Sequence, residues 1–323
     1  MVFDGHSDLL YDVTRRRLAG ETHVLEQHHL DRLRRGGIEG LVLALWYGRG
    51  GGDETFWKDA SPSAGPAQRL EIMLNCARDE FAECPWLAAV RTAEEAAAAK
   101  TNGKIYAFLC IEGMEGLGGP EDLDRLAAMG LRLGMLTWNE ENLFAAGAAQ
   151  DPAKGLSPLG RRMVRRMEDL DIVMDVSHLN GGSFWDVMKL ARSPVIASHS
   201  NCRHLCDVPR NLTDEQLRAI RDSGGVVGLN IHHAFVHQDP ARQTAETLAL
   251  HAAHMAEVMG MEHVACGFDF CEFMGPGNDG AAGLEDCGCV PNFLRCLERL
   301  GMSPAERAMI AKGNLLRIFR KKR

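Results

Sequence analysis

Residues 158–179 read PLGRRMVRRMEDLDIVMDVSHL. The first part, 158–170, has a helical pattern, and it runs straight into IVMDVSHL at 172–179, a near-continuous apolar run that ends on His178. A run of that kind is what a parallel strand needs when helices cover both of its faces. The same reading applies to seven other runs: VFDGHSDL (2–9), GLVLALWYG (40–48), KIYAFLCIEG (104–113), RLGMLTWN (132–139), PVIASHSN (194–201), GVVGLNIHH (225–233) and HVACGFDFC (263–271).

Helical stretches separate these strands at 66–80, 121–130, 213–225 and 246–260, and the alanine-rich 93–99 is helical too. Thr213 reads as an N-cap, with acids in the following turn. A last helix at 303–319 breaks near Gly313, and 272–292 is a long glycine-rich loop where a lid or substrate loop would sit. About eight βα units in order predict a (β/α)8 barrel, a single domain spanning 1–323. The competing fold is a doubly wound open sheet. The strand count disfavours it, and no G-x-G-x-x-G turn follows the first strand.

The 323 residues carry a formal charge of −8, from 36 basic and 44 acidic side chains. RRMVRR at 161–166 and the RKKR tail form no extended basic stripe, so nucleic acid is not an expected partner. No apolar run reaches the ~18 residues of a membrane span, and no signal peptide precedes the first strand. A cytoplasmic protein is expected. Ten scattered cysteines then read as free thiols, and neither Cys202 with Cys206 nor Cys287 with Cys289 has the spacing of a structural zinc site.

Polar residues gather where a barrel places its chemistry, at the C-terminal ends of the strands. The first strand delivers His6 and Asp8 two positions apart, on one face. Glu112 ends the third strand, His178 the fifth, His199 the sixth and Asp269 the eighth; Trp46, Trp138-Asn139 and Asn230 to His233 end others. Unpartnered, such groups would cost several kcal/mol to desolvate, and metal coordination relieves that cost. The ligand count suggests two ions: His6, Asp8 and one oxygen of Glu112 for the first, His178, His199 and the other oxygen for the second. A bridging glutamate would hold them about 3.5–4 Å apart, sharing a hydroxide that is nucleophilic at neutral pH. The mixed nitrogen and oxygen set fits zinc, with manganese or cobalt as substitutes.

At these residues the chain resembles the membrane (renal) dipeptidase family, a branch of the amidohydrolase superfamily. The matching pieces are DGHSDL (4–9), IEG (111–113), DVSH (175–178), ASHS (197–200), PRN (209–211), GFDF (267–270) and GNLLR (313–317). The resemblance implies a dizinc dipeptidase that tolerates a D-residue at the C-terminal position, and a homodimer. It makes His6, Asp8, Glu112, His178 and His199 metal ligands, with Glu112 as the bridge. It makes Arg210 the partner of the substrate's C-terminal carboxylate, and Asp269 the acid that passes a proton from the attacking water to the leaving amine. One departure stands out: Trp138 occupies the place of a histidine that holds the oxyanion, so that duty moves toward the metal, His232 or His233. Trp138, His232 and Asn230 are therefore expected to line the substrate pocket. A changed pocket also admits an alternative, an amidohydrolase acting on another small amide such as an N-acyl amino acid. A metal-binding barrel without catalysis is a third reading, which Asp269 argues against.

Overall fold

In the computed structural model, residues 1–48, 57, 61 and 63–321 are described. Among them lie nine strands: β1 (Val2–Ser7), β2 (Ile38–Leu45), β3 (Leu87–Ala89), β4 (Ile105–Glu112), β5 (Leu131–Met135), β6 (Val173–Asp175), β7 (Val195–Ile196), β8 (Val227–Leu229) and β9 (Val264–Cys266). All but β3 coincide with the apolar runs read from the sequence. β3 is three residues long and pairs only with the start of β4, too short for its pattern to stand out.

Every ladder is parallel. The strands of the main sheet run β1-β2-β4-β5-β6-β7, in chain order and without the reversal that a doubly wound sheet requires. β8 and β9 form their own pair, which one parallel bridge, Ala197 to Val227, joins to β7. After β9, the amide of Asp269 donates to the carbonyl of His6 on β1, 3.3 Å away. The result is a curled parallel sheet.

The helices between the strands explain themselves locally. Pro158–Asp169 starts on Ser157, whose hydroxyl accepts from the amide of Gly160, and buries Met163, Val164 and Met167. Asp214–Asp222 starts on a capping box between Thr213 and Gln216, which satisfies two otherwise orphaned donors. The final helix is interrupted by a π turn at Met309–Gly313, where a break is expected from the sequence. Helices at Leu9–Leu18, Gly181–Leu190 and Val290–Arg299 were not expected. Gly181-Gly182 and Pro291 make poor helical patterns, yet Asn180 caps the second helix by accepting from Ser183. The last helix takes up the end of the predicted 272–292 loop. The arginines of the 161–166 run that pair do so with acids, Arg161 with Asp186 and Arg166 with Asp124; the last two residues of the RKKR tail lie outside the described residues. All ten cysteines are free.

The two ends of the sheet are filled differently. Toward the N-terminal ends of the strands, Phe3, Tyr106, Phe108 and Phe319 form an aromatic layer, with Phe108 stacked on Phe319 at 4.1 Å. The buried carboxylate of Glu39 lies at the start of β2, clamped by Lys100 and Lys312. Further along, glycines replace side chains. A Cβ on Gly228 would lie 1.9 Å from the carbonyl oxygen of Ser198, and one on Gly267 would lie 1.6 Å from it. Neither glycine has a positive φ, so space, not backbone conformation, requires them.

Candidate active site

The parallel register carries the chemistry to one rim. His6 belongs to β1 and Asp8 follows it; Glu112 is the last residue of β4; His178, His199 and Asp269 come just after β6, β7 and β9. All six side chains converge. His6 Nε2 lies 3.0 Å from Glu112 Oε2, 3.5 Å from Asp8 Oδ1 and 4.0 Å from Asp269 Oδ1. The other carboxylate oxygen, Glu112 Oε1, lies 2.7 Å from His178 Nε2 and 3.8 Å from His199 Nε2. His178 Nε2 and His199 Nε2 are themselves 2.8 Å apart. Two sets, His6 with Glu112 and His199, and His6 with Asp8 and Asp269, have ligand atoms near enough to share one ion.

Every one of these groups except Asp269 is buried. Several lack the partners that burial demands: both ring nitrogens of His6, Asp8 Oδ1 and Glu112 Oε2 have no hydrogen bond. An unpaired buried polar atom costs ~1–3 kcal/mol, so a cluster of them marks a place built for something else. The charges agree. Burial raises the pKa of Glu112 to about 8 against the pull of His6, and burial with Asp8 nearby raises that of Asp269. Burial opposes a charge on His6, but Glu112 and Asp8 outweigh it and hold its pKa well above the ordinary value. Burial, with Arg210 and His6 close by, keeps His178 and His199 neutral. Neutral imidazoles facing crowded carboxylates form a donor set for divalent cations, and the residues present fit a metal.

A surrounding layer fixes these groups. Asn139 Oδ1 lies 3.0 Å from His178 Nδ1, so that nitrogen carries the proton and Nε2 turns its lone pair toward the cluster. Ser198 Oγ meets His199 Nδ1 at 2.8 Å. Asp175 accepts from the Ser177 amide, the Ser177 hydroxyl and the Ser198 amide, tying the ends of β6 and β7 together. Cys271 Sγ approaches Asp269 Oδ1 at 3.3 Å and Asp8 Oδ2 at 3.8 Å. Asp269 has φ of 61°, a left-handed conformation that aspartate tolerates better than most residues. Sequence reasoning missed these supports; the Asn of LTWN and the serines of DVSH and ASHS were on view, but their partners are distant in sequence.

The residues expected to meet substrate are placed as follows. Arg210 is buried, its pKa lowered by burial to about 10, so it remains charged. One of its terminal nitrogens reaches the Ser177 carbonyl, the other sits 3.1 Å from His178 Nε2, and its Nε has no partner. Trp138 is half-buried, its ring 6.0 Å from that of His178 and 5.6 Å from Trp46. Asn230, expected to line the substrate pocket, makes internal bonds. Its Nδ2 donates to Asp269 Oδ2 at 3.0 Å and its Oδ1 accepts from the His232 amide. His232 is also turned inward upon its own segment. Its Nδ1 accepts from the Ala234 amide and its ring stacks on His233 and Phe235.

Known proteins place this geometry. The family model described as membrane dipeptidase (Peptidase family M19) matches residues 1–323. An uncharacterized protein in the pqqA 5' region of Klebsiella pneumoniae is 37% identical over 231 residues, 67% of this chain and 82% of that protein. An uncharacterized dipeptidase of Schizosaccharomyces pombe is 34% identical over 224 residues, 67% of this chain; the match spans only about half of that protein's length, 53%. Among solved structures, a metallo peptidase from Rhodobacter sphaeroides liganded with a phosphinate mimic of the dipeptide L-Ala-D-Ala is similar with a TM-score of 0.84, at 27% identity, over 98% of both chains. The expectation drawn from the strand-end residues is met, and the chain belongs to the membrane dipeptidase family, peptidase family M19.

Proposed function

We propose that the protein is a dizinc dipeptidase. It hydrolyses the peptide bond of short substrates with a free C-terminal carboxylate and accepts a D-residue at that end. One observation carries the reading: five buried ligand-type side chains from four strand ends meet around Glu112, and His6 Nε2, Asp8 Oδ1 and Glu112 Oε2 among them lack hydrogen bonds. The family membership and the dipeptide mimic bound by the Rhodobacter sphaeroides neighbour support it. The bridge from Ala197 to Val227 and the bond from Asp269 to His6 support reading the curled sheet as a closed eight-stranded barrel, one domain throughout.

His6, Asp8 and Glu112 would hold one ion, and His178, His199 and Glu112 the other. When bound, the ions would polarise the scissile carbonyl and lower the pKa of a water toward neutrality. The chain's own residues do the rest. Arg210 binds the substrate carboxylate, its Nε and fork offering donors within a buried wall. Asp269 takes the proton of the attacking water at Oδ1 and delivers it to the leaving amine, while Asn230 holds Oδ2 still. Its raised pKa suits a group that must carry a proton part of the time. Trp138 and Trp46 wall the pocket beside His178 with apolar surface and exclude water there.

Metal analysis of the purified protein, followed by assay of the zinc-loaded form on L-Xaa-L-Xaa and L-Xaa-D-Xaa dipeptides, tests this. Two ions per chain and turnover of dipeptides are expected. No bound divalent ion, together with no hydrolysis after zinc or cobalt addition, would overturn it. Faster turnover of N-acyl amino acids than of free dipeptides would reassign the substrate, with Trp138 as the cause. Light scattering checks the homodimer that goes with the family.

A further inference from the structure

Arg210 sits on a loop, not on a strand or helix, yet a carboxylate-binding guanidinium must be held to within a fraction of an ångström. The loop after β7 runs from Asn201 to Leu212. It is pinched shut by Leu212 N–H to Asn201 O at 2.8 Å and Arg203 N–H to Leu212 O at 2.8 Å. Arg210 lies just inside that pinch, and its guanidinium carbon rests 5.4 Å from the Phe235 ring centroid. Phe235 lies in the single helical turn His233–Val236. Beside the Ser177 carbonyl and His178 that its terminal nitrogens reach, two bodies position the guanidinium, the pinched loop and the Phe235 turn.

Asn201 and Asn211 of the loop each donate from Nδ2 to the Phe235 carbonyl, at 3.2 and 2.9 Å, and one side chain outside the loop also touches both bodies. His251, on the helix Ala245–Met259, is fully buried. Its Nε2 lies 2.8 Å from the carbonyl of Val236, which only accepts, so Nε2 carries the proton. Nδ1 is then a lone pair, and it accepts the backbone amide of Cys202 at 3.2 Å, with the Cys202 thiol 3.0 Å away. Burial, together with His254, lowers the pKa of His251 to about 4 despite its bond to Val236, so this neutral form persists. The geometry fixes a single tautomer and spends both nitrogens.

We infer that His251 is a positioning residue for substrate: it locks the loop start at Cys202 to the turn that carries Phe235, and so sets Arg210 against the substrate's terminal carboxylate. The inference rests on the reading of Arg210 as the carboxylate partner. No atom of His251 is among those reaching the ligand cluster, so its removal acts on binding of the carboxylate and leaves the metal ligands in place.

The test uses the zinc-loaded enzyme and compares a dipeptide with its C-terminal amide. It records kcat and KM for each, and the affinity of a phosphinate dipeptide mimic by calorimetry. The preference for carboxylate over amide is the reading that a general loss of structure does not move. His251→Phe should raise KM for the dipeptide by about tenfold or more, weaken the phosphinate equally, and shrink the preference, with kcat changed less than about threefold and metal content unchanged. His251→Asn keeps an acceptor near Nδ1 and should restore part of the preference. If His251→Phe does not fold, His251→Asn and His251→Gln, each able to keep one of the two bonds, carry the test and should each give an intermediate preference. Arg210→Met separates the two ideas. If it leaves the preference intact, the role of Arg210 itself fails. If it abolishes the preference while a folded, metal-loaded His251→Phe protein retains it, the role of His251 alone fails.

Discussion

Asp269 is the proposed base, and its neighbours hold it on several sides. Asn230 Nδ2 holds one oxygen and the Cys271 thiol approaches the other, while the main-chain amide of Asp269 reaches back to His6. Replacing Asp269 with Asn removes the base but keeps the shape. A fall in kcat of about 10²–10⁴ is expected, with metal content measured by mass spectrometry unchanged. Asn230→Leu leaves the carboxylate but frees its Oδ2, so kcat should fall less, by ~10-fold, with metal content again intact. Equal losses in the two variants would contradict the division of labour. At this scale the sequence was most legible where spacing is short. H-x-D at 6–8 is visible because a strand puts i and i+2 on one face. Asn230 was read as a pocket residue, but its bond to Asp269 was not legible, because the two lie 39 positions apart. His251 went unseen because a histidine among the apolar residues of a helix looks like part of its core face.

Among elements, the glycines beside Ser198 decide how closely β7, β8 and β9 approach, and hence how His199, Asn230 and Asp269 meet. Gly228→Ala would drive a Cβ into the Ser198 carbonyl oxygen. The strands must separate, and a loss of roughly 3 kcal/mol or more in unfolding free energy is expected, read by urea titration, with failure to fold as the extreme. A wild-type midpoint in Gly228→Ala would mean that the strands have slack. The element pattern was largely readable: eight apolar runs became eight strands. Their lengths were not. Runs of about eight residues gave strands of two or three in β6 to β9, because the remainder leaves the ladder to carry ligands and caps. Several helices, among them Leu9–Leu18, Gly181–Leu190 and Val290–Arg299, were hidden by glycine and proline near their starts or by mixed polar faces, where tertiary packing overrides propensity.

For the molecule as a whole, the proposed zinc site exists only in the folded chain, so its occupancy would link stability to metal. Removing zinc with a chelator should lower the melting temperature, and restoring free zinc to ~1,000 times its dissociation constant should recover ~4 kcal/mol. A melting curve indifferent to chelator would show that the buried cluster is satisfied without metal. Acid acts separately. The unfolded His251 takes up a proton near its ordinary 6.5, the folded one only at about 4. The unfolded state therefore binds more protons between those values, and stability is full above pH 6.5 and declines as pH falls toward 4. The decline is on the order of 3 kcal/mol. His251→Gln should flatten that limb of the stability curve in chelator-treated protein; an unchanged slope would remove His251 from the account.

The Glu39 clamp has a consequence for anyone reshaping this protein. Lys100 and Lys312 grip the start of β2, whereas the proposed dizinc site lies at the far ends of the strands. A mutant library can therefore be split in advance into two halves with different screens. Changes around Glu39 are to be scored for shelf life and heat tolerance, changes around Trp138 and Trp46 for substrate range, and winners from the two halves should combine with little mutual penalty.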